Sequence, residues 1–150
     1  MSKSINHQLF FPHPPAAVWE YLTQPELMEL WLMKNDFKPV VGHDFQFRIG
    51  PKPDLDFDGI VYCTVIEVVP FKKLSYSWKL GPGDGTVNID SVVRWELLPK
   101  DNGTQLILEH SNFKVLENLP MFDGMTKGWL TNMNKIADRL NIASHGHTNA

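Results

Sequence analysis

The sequence predicts an α+β fold: a curved antiparallel sheet, entered through one strand and two short helices, covered by a long C-terminal helix. Three observations predict it. Hydrophobicity alternates with period two through most of residues 45–110, and no helical pattern interrupts it. A period of three to four returns only near each end of the chain. Five Trp and nine Phe among 150 residues require a large apolar interior. A sheet with one apolar face needs a cover, and the last helix is the element long enough to provide it.

The elements follow in order. INHQLFF (5–11) places Ile5, Leu9 and Phe11 on one face, with Asn6 and Gln8 on the other, as in a half-buried strand. Pro12, Pro14 and Pro15 end it, and Pro14-Pro15 can open a helix because the first turn needs no internal N–H donor. In AAVWEYL, Val18 and Leu22 are i, i+4 neighbours flanked by Trp19. Pro25 restarts the chain, and ELMELWL puts Leu27, Leu30 and Trp31 on one expected face. FQFRI then alternates Phe45, Phe47 and Ile49 against Gln46 and Arg48. GPKPDLDFDG (50–59) reads as a connection, and IVYCTVIEVV as a β-branched strand ended by Pro70. LSYSWKL sets Leu74, Tyr76, Trp78 and Leu80 against Ser75, Ser77 and Lys79. GPGDG is a loop, VNIDSVVRWELL a strand and PKDNGT a hairpin turn; QLILEH aligns Leu106, Leu108 and His110. That makes about six strands in a meander. Met125, Trp129, Met133, Ile136 and Leu140 recur at helical spacing, which predicts a helix over 121–142, about 30 Å long at ~1.5 Å per residue. The expected organisation is one domain over 1–143 and a mobile tail over 144–150.

Composition excludes several classes. Hydrophobic residues at 43% and charged ones at 21% are those of a globular chain, not a disordered one. Net charge is −3 and the basic residues are scattered, which argues against nucleic-acid binding. One cysteine, Cys63, rules out an internal disulfide and any multi-Cys zinc site. No run approaches the ~20 apolar residues that span a bilayer, so membrane insertion is not expected. The first residues lack a signal-peptide stretch, and a cytoplasmic location is the expectation.

Several motifs resemble those of a known family, the Hsp90-ATPase-activator-like branch of the START/Bet v 1-related (SRPBCC) proteins. FPHPPAAVWEYLTQPELMELW is similar to its opening strand, Pro, Val-Trp and second Pro followed by Leu and Trp. Val41-Gly42 with Phe45 matches its Val-Gly-x-x-Phe, and VIEVVPFKKLSYSW its Val-x-x-Pro-x-x-x-Leu-x-Tyr-x-Trp. Gly103-Thr104 before LILEH and Gly128-Trp129 in the last helix match as well. The matches run in order from about residue 10 to 140. The resemblance implies the helix-grip (START/Bet v 1-like) fold and a cavity between sheet and helix. It also brings two other roles into view: cyclase or dehydratase chemistry, and a protein-interaction role, whether linked to chaperones and stress or as a homodimer.

Candidate chemistry is sparse. No Gly-x-Ser-x-Gly elbow occurs, and GPGDG lacks the Lys-Ser/Thr end of a phosphate loop. His110 is in phase with Leu108 and can face inward as an acid, base or anchor, with Tyr76 or Glu109 as partner; the plainer expectation is a strand-end histidine bonded to backbone. His145-x-His147 has no third ligand near it in sequence, so no metal or other cofactor is expected. Cys63 lies in an apolar run and is expected to pack rather than react. Arg48 and Arg94 alternate with the apolar set and read as surface charges, with Glu96 as the expected partner of Arg94. The richest feature is an aromatic and Met set. Phe45, Phe47, Tyr76, Trp78, Trp95, Leu106, Leu108, His110, Met125, Trp129 and Met133 are the candidate lining of a cavity for a small apolar or amphipathic molecule, against the alternative that they fill a core.

Overall fold

In the computed structural model, residues 3–148 are described, and side chains as far as residue 142. The elements run β1 (Ile5–Phe11), α1 (Pro15–Thr23), α2 (Pro25–Trp31), β2 (Lys34–Asn35), β3 (Asp44–Arg48), β4 (Ile60–Val69), β5 (Lys73–Leu80), β6 (Ile89–Lys100), β7 (Gly103–Leu116) and α3 (Leu119–Thr148). A short 3₁₀ turn, Pro53–Leu55, interrupts the β3–β4 connection. The strands form one antiparallel sheet in the order β1-β7-β6-β5-β4-β3-β2. β1 therefore closes onto the last strand, and the β3-to-β7 run is a plain meander. β2 is two residues long and too short to leave a period in the sequence.

Register shifts at Val65/Glu67 and Asp90/Val92 bend the sheet, because a bulge adds a residue to one strand and increases local twist. The inward set is the alternating one: Phe45 and Phe47 on β3, Leu74, Tyr76, Trp78 and Leu80 on β5, Ile89, Val93, Trp95 and Leu97 on β6, Leu106 and Leu108 on β7. The β6–β7 turn is centred on Asp101 and Asn102, both at positive φ (47° and 62°), the geometry of a two-residue type I′ hairpin. Gly103 follows as the first paired residue; a Cβ there would run into the Phe11 carbonyl of β1.

Two helices differ from expectation. In α2 the buried pair is Met28 and Trp31, while Leu30 is exposed. Gln24 is the only residue between α1 and α2, so the packing of α1 sets the rotation of α2. Trp31 fixes it by donating its indole N–H to the Tyr21 carbonyl at 2.7 Å. α3 begins earlier than predicted and runs past residue 142 to Thr148, through part of the segment read as a tail. The side chains of His145 and His147 lie outside the described residues. Asn118 is the N-cap: its Oδ1 accepts the backbone N–H of Met121 at 3.2 Å. Its Nδ2 donates to the Leu55 carbonyl at 2.7 Å, which ties the start of α3 to the β3–β4 connection.

No helix among the described residues is long and apolar enough to cross a membrane.

Candidate functional site

The sheet's inner face is filled along most of its length by interlocking rings. Phe37 meets Phe45 edge-on at 5.0 Å, Phe45 meets Tyr76 at 5.3 Å, and Trp95 meets Trp129 at 5.5 Å. Tyr76 accepts the Trp95 indole N–H at 3.0 Å, and burial raises its phenol pKa well above the ordinary value. Of the sequence candidates, Phe45, Phe47, Tyr76, Trp95, Leu106, Leu108 and Met133 lie within this packed region.

Among the described residues, space opens toward the N-terminal half of α3. There a pocket of about 340 Å³ is bordered by Trp78, Met125 and Trp129 from the candidate set. Leu32, Met33, Ile49, Leu55, Phe57, Val61, Pro120 and Met121 complete its apolar wall. Its polar edge is Lys52, which is exposed, and Asn132, which is partly buried. Gly124 and Gly128 face it from successive turns of α3, and a Cβ at either would meet no atom within 4 Å. These glycines are therefore not imposed by close packing, although Gly is disfavoured inside a helix.

Much of this wall escaped sequence reading. Leu55 and Phe57 sit in a segment read as a polar connection; two apolar residues two apart among Pro and Asp were the available signal. Gly124 and Gly128 carried one too, as helix-interior glycines one turn apart.

His110 lies beside the pocket, fully buried, and its partners differ from the expected backbone bond. The Trp129 indole N–H donates to its Nδ1 at 3.0 Å. Its Nε2 is 2.7 Å from Ser91 Oγ, and Ser91 Oγ is 3.0 Å from the Trp78 carbonyl. Only one proton arrangement satisfies all three contacts. Because Nδ1 accepts, Nε2 carries the hydrogen and donates to Ser91, whose hydroxyl donates to Trp78. Ser91 keeps the inward phase of Ile89, Val93 and Trp95 on β6, which places its hydroxyl on the inner face. Burial among Trp78, Phe113 and Trp129 pushes the His110 pKa down to about 3, so the ring is neutral. Neither expected catalytic partner is brought to it. Tyr76 is engaged by Trp95, and Glu109, adjacent on β7, is exposed on the other face.

Glu109 instead pairs with Arg94 at 3.7 Å; Arg94 also donates to Ser111 at 3.2 Å. This corrects the expected Arg94–Glu96 pair. Arg94 and Glu109 are direct cross-strand partners, whereas residues two apart on one strand are farther from each other. Arg48 is exposed and donates to Gln46. Cys63 is buried, and loss of solvent, followed by the nearby Asp36 charge, raises its thiol pKa.

Among solved structures, protein MLL2253 from Mesorhizobium loti is similar at 37% identity, with 93% of this chain and 97% of that chain aligned and a TM-score of 0.81. Protein NE0264 from Nitrosomonas europaea aligns over 95% of this chain and 96% of its own at 19% identity, with a TM-score of 0.74. The Aha1 dimer from Colwellia psychrerythraea aligns over 91% and 94% at 18% identity, with a TM-score of 0.71. At those lower identities the likeness shows the fold alone. No curated protein matches the chain. The sequence model described as "Activator of Hsp90 ATPase homolog 1-like protein" matches residues 12–141. That span reaches from the end of β1 into α3, through the helix-grip sheet and the whole pocket wall, and the chain belongs to this family.

Proposed function

We propose that this chain is a binding module for a small apolar or amphipathic molecule, held between the N-terminal half of α3 and the β3–β4 connection. One observation carries the reading: an open, almost wholly apolar space of about 340 Å³ beside a packed aromatic core. That volume lies in the range of small-molecule pockets. Met33, Met121 and Met125 supply a wall that adapts to guests of different shape. Lys52 at the rim suits a guest with a polar end left toward solvent. The test is native mass spectrometry and thermal shift against a panel of lipids and flavonoids. Wild type is expected to retain or be stabilised by at least one class, and Gly128→Leu, which fills the space, to lose the effect. Absence of any bound species and of any shift in wild type would end this reading.

A second reading, self-association, is favoured by a different surface. Val40, Val41, Ile66, Val69 and Phe71 are all exposed. The 40–43 turn is pinned to β4 by hydrogen bonds between Gly42 and Val65 and between Val65 and His43, which brings Val40 and Val41 to the part of β4 that carries Ile66. A second copy of this chain is the proposed occupant. Sedimentation velocity at micromolar concentration tests it: a dimer that Phe71→Ser dissociates supports it, and a wild-type monomer rejects it.

A further inference from the structure

The apolar pocket has a charged neighbour. A second opening, of about 650 Å³, shares Leu32, Met33 and Ile49 with it. Leu32 and Met33 are partly buried. Ile49 is 48% exposed, although it follows Phe45 and Phe47 in phase. These three side chains give the two spaces a common apolar edge. The second opening is also bordered by Lys34 of β2 and Arg48 of β3, both exposed.

Lys34 and Arg48 are register partners, directly opposite each other across the β2–β3 ladder. Side chains so placed share a face of the sheet, and like charges there repel. Arg94 and Glu109, in the same relation on β6 and β7, carry opposite signs and pair at 3.7 Å. Among the described residues, no carboxylate forms an ion pair with Lys34 or Arg48. Two carboxylates do border the opening. That of Asp58 accepts the Ile60 N–H at 3.1 Å and the Tyr62 hydroxyl at 3.3 Å. That of Glu29 stands on the exposed side of α2. Arg48 spends one N–H on Gln46 at 2.6 Å, and a guanidinium has others to offer.

We infer that the ligand of this pocket is an amphipath with one anionic end, such as a carboxylate on a hydrocarbon chain: the chain fills the apolar space, and Lys34 and Arg48 hold the head. This rests on the proposed binding role and names its ligand class. An anion between two facing cations converts their repulsion into two attractive pairs. Both side chains are exposed on long flexible stems, so their nitrogens reach a head group without being fixed in advance. The head stays in contact with water, which avoids the cost of burying a charge. Lys52, on the rim of the apolar space itself, adds a third positive charge to the same edge.

Three probes with one hydrocarbon chain and different heads test this by calorimetry at neutral pH: decanoate, 1-decanol and decyltrimethylammonium. At low salt, decanoate is expected to bind about tenfold more tightly than the cation, as two partly exposed ion pairs imply, with the alcohol between them. Raising the salt from about 10 mM to about 0.5 M should erase the preference, because exposed charges are then screened. The double variant Lys34→Gln/Arg48→Gln should bring the three affinities together, and Lys52→Gln should keep most of the difference. Gly128→Leu should abolish binding of all three. A preference lost in Lys52→Gln and kept in the double variant would overturn the assignment of the head site. Equal binding of all three probes to wild type, abolished by Gly128→Leu, would overturn the anionic ligand and leave the apolar pocket standing. Failure of every probe and of the lipid and flavonoid panel would overturn the binding role and this inference together.

Discussion

His110 shows how one residue can be in phase with its neighbours yet differ from them in chemistry. Its position two after Leu108 placed it inward, and it is inward. Its bonding partners come from β6 and α3, far away in sequence, and the spacing of QLILEH holds no information about them. The consequence is a pH dependence with a definite sign. The folded state keeps the ring neutral down to about pH 3, while the unfolded chain takes up a proton near the ordinary value of 6.5. Between those values the unfolded state binds more protons, so stability is full above about 6.5 and falls as pH falls toward 3. The contribution is about tenfold in the unfolding constant per pH unit. Urea titrations between pH 7 and 5 should show wild type losing stability faster than His110→Gln, which cannot titrate. His110→Ala should cost roughly 2–4 kcal/mol at neutral pH, because it orphans the Trp129 N–H and opens a void. A loss under 1 kcal/mol by chemical denaturation would contradict the network.

The elements were read with unequal success, and the reasons are physical. β5 and β7 show clean alternation because one face is largely apolar. α2 did not, since seven residues make under two turns and its rotation depends on Trp31 reaching Tyr21. α3 was legible as a helix from its Met and Trp spacing, but its start was not. The cap is Asn118, whose side chain also holds Leu55, and no apolar period marks it. Asn118→Ala is expected to lower stability by about 1–2 kcal/mol through the lost cap and to loosen the pocket's outer wall. Faster amide exchange at Leu55–Phe57 than in wild type would report the second effect. Gly128→Ala tests the other wall. It should raise stability by roughly 0.5–1 kcal/mol, because a Cβ meets nothing there and Ala favours the helix. A fall in melting temperature would mean that the glycine serves packing after all. Gly103→Ala should act in the opposite direction, destabilising by at least about 1 kcal/mol, since its Cβ would strike β1.

Across the whole chain, periodicity and composition were enough to define the α+β class, the meander and the long covering helix. Alternation determines which face of a strand is buried, and helical spacing does the same for α3. The motif resemblance reached the family that the sequence model over residues 12–141 shows. What periodicity does not encode is whether two buried faces meet without a gap. Phe45, Phe47, Tyr76 and Trp95 fill the space between sheet and helix, whereas Trp78, Met125 and Trp129 border an opening. All seven carry the same sequence signal: apolar, large and in phase. The difference arises from the bend of the sheet at its bulges, from the tie between Asn118 and Leu55, and from two glycines on the facing helix. Those are relations between elements distant along the chain. The sequence by itself determined the layers and their inner faces; only the tertiary structure decided where those faces part, because a void is a property of two surfaces and a periodicity is a property of one.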